Sequence, residues 1–105
     1  MSWIYLLFAS LAEMGWPVSL KISQMPGKAI IGWTLAIIFL TISGIFLWLA
    51  QREIPIGTAY AVWTGIGATG TFVIGIIFFN DVVSFLRIFS VILIIVGVIG
   101  LKIAN

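Results

Sequence analysis

Four long apolar runs make up nearly all of the chain, and most of its few charges gather in the short stretches between them. The runs extend from Trp3 to Leu20, from Ala29 to Ala50, from Ile54 to Phe79 and from Val82 to Ile103. Each is close to the ~20 residues that a helix needs to cross the hydrocarbon of a bilayer. Lys21 and Lys28 mark the first break, Arg52 and Glu53 the second, and Asp81 and Arg87 the third. Arg87 and Lys102 shorten the fully apolar centre of the fourth run, and their long stems let the charged ends reach the interface. The pattern predicts an all-α membrane protein in which residues 1–105 form a single four-helix transmembrane unit.

Composition supports that reading. The chain is 63% hydrophobic and 8% charged, with a mean hydropathy of +1.32, far from the makeup of a soluble domain. A secretory signal peptide would show a basic segment before the first run and a small-residue cleavage site after it. Neither is present, so the first run is expected to remain as a span. Connections of a few residues leave no room for a soluble domain, and function is expected within or beside the lipid bilayer. Cysteine and histidine are both absent, which removes disulfides, thiol chemistry and the commonest metal ligand, so no metal or cofactor is expected. With no recognisable nucleophile and no acid–base arrangement beyond one deep acid, the chain does not read as an enzyme.

The formal charge of +2 comes from scattered residues rather than a basic patch, which argues against nucleic acid as a partner. The charges bear instead on orientation. With four spans, Arg52 and Lys102 fall on one side and Lys21, Lys28 and Arg87 on the other. Two against three gives almost no positive-inside preference. Such a chain could insert both ways and pair as an antiparallel dimer, supplying the inverted repeat on which transporters are often built. A partner protein that fixes one orientation is the other reading of the same weak bias.

Glu13 carries the sharpest chemical signal. A carboxylate inside a membrane span is costly and functional by default, and no other acid lies at comparable depth. Ala9, Ser10, Trp16 and Pro17 are its neighbours at helical spacing. Trp16 offers an aromatic wall and an indole donor, a setting that suits a small organic cation balanced by Glu13. Proton and cation would then compete for one carboxylate, which is sufficient for exchange. The alternative is a structural acid paired with a basic group of another helix. Gly15 and Pro17 weaken the regular helix around this position.

In the third run, Tyr60 and Trp63 are three apart and share a face, placing a hydroxyl and an indole toward one cavity. Gly65 and Gly67 permit either a hinge or close helix packing. Ser43, beside Gly44 in the second run, is expected to orient Glu13, to join the substrate network or to bond its own preceding turn. Gly97 and Gly100 in the fourth run suggest a dimer contact. Asp81 and Arg87 read as a surface pair in the third connection.

Three segments in register resemble the small multidrug resistance transporter family over almost the whole chain. They are Leu11-Ala12-Glu13, the run Ile54-Pro55-Ile56-Gly57-Thr58-Ala59-Tyr60-Ala61-Val62-Trp63-Thr64-Gly65-Ile66-Gly67, and Gly97-Val98-Ile99-Gly100-Leu101-Lys102. The resemblance implies a proton-coupled cation exporter of the bacterial cytoplasmic membrane, with four helices per chain, working as an antiparallel dimer without a cofactor. Glu13 corresponds to the family's essential glutamate, and Tyr60 and Trp63 to its cavity aromatics. Trp16, the Trp-x-x-x-Leu-Lys pattern ending at Lys21, Thr64 beside Trp63, and the final Gly-Leu-Lys resemble the guanidinium-exporting branch. There, Trp16, Ser43 and Tyr60 would help position the carboxylates around a planar guanidinium ion. The first loop, Met14, Pro17 and Asp81 depart from the branch pattern. Open alternatives are therefore a broad quaternary-ammonium exporter, one half of a heterodimer with a paralogous chain, and a small membrane chaperone or accessory subunit.

Overall fold

The computed structural model describes residues 1–104. Four helices follow one another along the chain: α1 (Ser2–Ser23), α2 (Ala29–Ala50), α3 (Ile56–Phe79) and α4 (Phe85–Ala104). All four are long and apolar enough to cross a membrane, and the chain is a multi-pass membrane protein. The α2 limits coincide with the apolar run. Helix α1 continues to Ser23, carrying Lys21 in its last turn, where a cation complements the negative helix end.

The fourth helix starts later than the apolar run, at Phe85 rather than Val82. Two local devices set this boundary. Asn80 adopts the left-handed conformation (φ 57°, ψ 33°) and its N–H returns to the Gly75 carbonyl, as does the Asp81 N–H at 3.1 Å. Two N–H groups thus converge on one carbonyl of the last turn through a left-handed residue, a conformation that asparagine tolerates better than most residues. Ser84 then caps the next helix, its Oγ accepting from the Arg87 N–H at 3.2 Å. Val82 and Val83 are apolar but lie in the link between these two devices.

Helix α1 packs against both α2 and α3, whereas α4 packs on α3. Buried positions are mostly small: Ala9, Ala12, Ala36, Ala50, Ala59, Gly65, Gly67 and Gly75. In lipid, helices gain little from removing apolar surface, so close backbone approach and interhelical hydrogen bonds hold them together. A tighter apolar cluster of Leu6, Ala50, Ile54, Ala59 and Val62 closes one end of the bundle, with Trp3, Tyr5 and Trp63 against it. The result is a slab of 45 × 34 × 16 Å, and no described residue of α4 is buried.

Candidate functional site

Glu13 lies half-buried in the middle of α1, where α3 comes close. The approach is possible because residue 67 has no side chain: a Cβ there would overlap Glu13 Cγ. The Trp16 indole, one turn along, donates its Nε1–H to Glu13 Oε1. A charge-assisted bond of this kind fixes the carboxylate direction and leaves Oε2 for another donor. Between α1 and α3 an open cleft of about 350 Å³ is lined by Glu13, Pro17, Thr64, Gly67, Ala68 and Thr71.

A second polar constellation ties three helices together. Ser43 of α2 is fully buried and donates its hydroxyl to the Ala9 carbonyl of α1 at 2.8 Å. Its Oγ accepts the indole N–H of Trp63 from α3 at 2.7 Å. Ser43 therefore bonds neither Glu13 nor its own preceding turn, two of the three outcomes its sequence position suggests. Its partner carbonyl belongs to the residue one turn before Glu13, so the network sets the backbone that carries the acid. The Tyr60 ring leans on Trp63, with centroids 5.3 Å apart and planes at 50°, and is 56% exposed at the bundle surface.

A family model described as Small Multidrug Resistance protein matches residues 1–94. The chain belongs to the small multidrug resistance family. Among its relatives is a protein of Yersinia pseudotuberculosis serotype I (strain IP32953) named a guanidinium exporter. It is 41% identical over 105 residues, the full length of both chains. A guanidinium exporter of Escherichia coli (strain K12) is 40% identical over 108 residues, spanning all of this chain and 99% of that one. One of Salmonella typhimurium is 41% identical over 111 residues, again spanning all of this chain and 99% of the relative.

In this small multidrug resistance chain, the structure brings Glu13, Trp16 and Gly67 together at one point, and Ser43, Tyr60 and Trp63 at another. The remaining sequence-derived positions lie elsewhere. Gly65 faces α4, where a Cβ would meet Val98 Cγ2 at 2.5 Å, and α3 is continuous through Gly65 and Gly67. Gly97 and Gly100 have open space where a Cβ would go and lie on the exposed face of α4. Gly44, beside Ser43 in α2, also faces open space. Asp81 and Arg87 do not behave as a simple surface pair: Asp81 Oδ2 folds against Gly75, and the Arg87 guanidinium lies 5.1 Å from the Phe72 ring centre. Ala68 and Thr71 are cleft residues that sequence reasoning missed. Their spacing from Thr64, four and then three residues, is a helical face and was the available signal.

Proposed function

We propose that this protein is a proton-coupled antiporter that exports guanidinium or small guanidinyl cations through a site shared by two antiparallel protomers. The observation that carries the reading is Glu13 itself: a carboxylate in mid-span, half-buried, held by one indole and open to a cleft between two helices. An acid at that depth is costly unless it binds something positive. The basic residues of the chain stand near the ends of its spans, so the counter-ion is a proton or a mobile cation.

Glu13 in its protonated form awaits the cation on one side, releases its proton as the cation binds, and takes up a proton from the opposite side to discharge it. Two Glu13 carboxylates, one from each protomer, form the exchange centre. The Trp16 bond and the Ser43–Trp63 network hold the acid and its helix, while Tyr60 and Trp63 supply aromatic surface toward the partner protomer. A guanidinium plane presents fixed N–H donors that carboxylates can receive with geometric selectivity. The full-length likeness to relatives named guanidinium exporters supports this substrate class. The wholly exposed face of α4, with Gly97 and Gly100 on it, is the surface for a second copy, in keeping with the nearly balanced charges on the two sides.

Proton release from detergent-purified protein on adding guanidinium tests the reading. Release by guanidinium that is lost in Glu13→Gln supports it. Release driven chiefly by a tetra-alkylammonium salt replaces it with a broad cation exporter. Silence from a verified dimer refutes exchange by this chain alone.

A further inference from the structure

Pro17 stands inside α1 one turn beyond Glu13. In an uninterrupted helix the N–H of residue 17 donates to the carbonyl of residue 13. Proline has no N–H and its ring crowds that same carbonyl, so the main-chain oxygen of Glu13 loses its helical partner. The side-chain hydroxyls that bond to the α1 backbone serve other oxygens: Ser10 donates to Leu6, Ser19 to Gly15, Ser23 to Leu20 and Ser43 to Ala9. Helix carbonyls point toward the C-terminal end, so the Glu13 carbonyl is directed into the turn that carries Trp16 and Pro17, and Trp16 itself donates to the Glu13 carboxylate. The cleft beside α3 runs along this turn, with both Glu13 and Pro17 in its wall.

We propose that the Glu13 main-chain carbonyl, released by Pro17, is a second acceptor of the cation site. One residue then offers a guanidinium ion both a carboxylate and an amide oxygen. The inference rests on the cation-exchange reading above and extends it to the chemistry of selectivity. A guanidinium ion carries N–H donors on every edge of a rigid plane, so an edge held by the carboxylate leaves further donors directed outward. An unpaired carbonyl is unfavourable in a water-poor membrane interior, and a cation N–H relieves it. A fully alkylated ammonium has no hydrogen to give, and for such an ion the freed carbonyl is only a partial charge. Preference for N–H-bearing cations is thereby written into the backbone of α1 as well as into its side chains.

The test compares three forms of the full chain by guanidinium-driven proton release: wild type, Pro17→Ala, and a form with lactic acid at position 17. Alanine restores the N–H and is the strongest helix former, so the helix persists. Lactic acid resembles alanine but makes an ester, which has neither the N–H nor the proline ring. The alanine form should bind guanidinium about tenfold more weakly than wild type, with the lactic acid form within about twofold of it, as expected for one hydrogen bond from a charged donor. Unchanged affinity in the alanine form would overturn the proposal. Equal losses in both forms would also overturn it, because the ring and not the missing donor would then be responsible. Wild type that gives no proton release with guanidinium would instead refute the exchange reading, and the carbonyl's role with it.

Discussion

Glu13 Cγ occupies the space that a side chain at position 67 would fill, so the acid of α1 and the glycine of α3 are two halves of one contact. Gly67→Ala should therefore act on the acid before it acts on the fold. One methyl group forced into a filled space costs about 1–3 kcal/mol, and the soft element nearby is the Glu13 side chain. The expected result is a helical, membrane-inserted protein whose guanidinium-driven proton release falls by about tenfold or more, read by proton release beside circular dichroism.

Ser43 is the crossing point of three helices, and its removal should be felt as stability. Ser43→Ala takes away the donor to Ala9 and the acceptor for Trp63 together. Interhelical hydrogen bonds in membranes average ~0.6 kcal/mol and reach ~1.7 kcal/mol, so a loss of about 1–2 kcal/mol is expected in denaturing-detergent titrations. Trp63→Phe should cost less in the Ser43→Ala background than in the wild type, since the two residues share one bond.

Glu13→Gln keeps the size of the side chain and removes its titration. Coupled exchange should be abolished, measured as loss of both guanidinium-driven proton release and proton-driven guanidinium flux in liposomes. Retained coupled exchange would place the chemistry at another residue.

Competition for one carboxylate fixes the sign of the pH dependence. As pH falls, protons displace the cation, so the apparent guanidinium affinity drops by up to about tenfold per pH unit for each proton displaced. Where the carboxylate is fully ionised the dependence flattens. Binding isotherms collected across a pH series check this, and an affinity that strengthens on acidification would contradict exchange at Glu13.

Much of the architecture is legible in the sequence because hydropathy alone marks a membrane span. The limits of α2 follow directly from it. Apolarity does not separate a helix from an extended link, however, and the start of α4 was decided by Asn80 and Ser84 rather than by Val82 and Val83. The acid and its indole partner could be read from spacing because they lie on one helix. The Ser43 hydroxyl could not, since its partners Ala9 and Trp63 lie 34 and 20 residues away and only the relative register of three helices brings them together. Gly65 and Gly67 look equivalent along the chain, yet two residues turn a helix by about 200°. One therefore meets α4 and the other meets Glu13.

Helix α4 touches the rest of the chain along one face: Val98 and Ile94 near Gly65, Arg87 over Phe72, and Lys102 4.5 Å from the Trp3 ring centre. Leu101 adds a contact with the apolar cluster, but no described residue of α4 is buried. Substitution tolerance along the chain should consequently divide into two regimes. In α1 and α3 it reports on internal fit, and a changed residue is judged by neighbours of the same polypeptide. Along most of α4 it reports on the outside world, so the pattern of permitted residues there is an imprint of the surroundings in which this helix works.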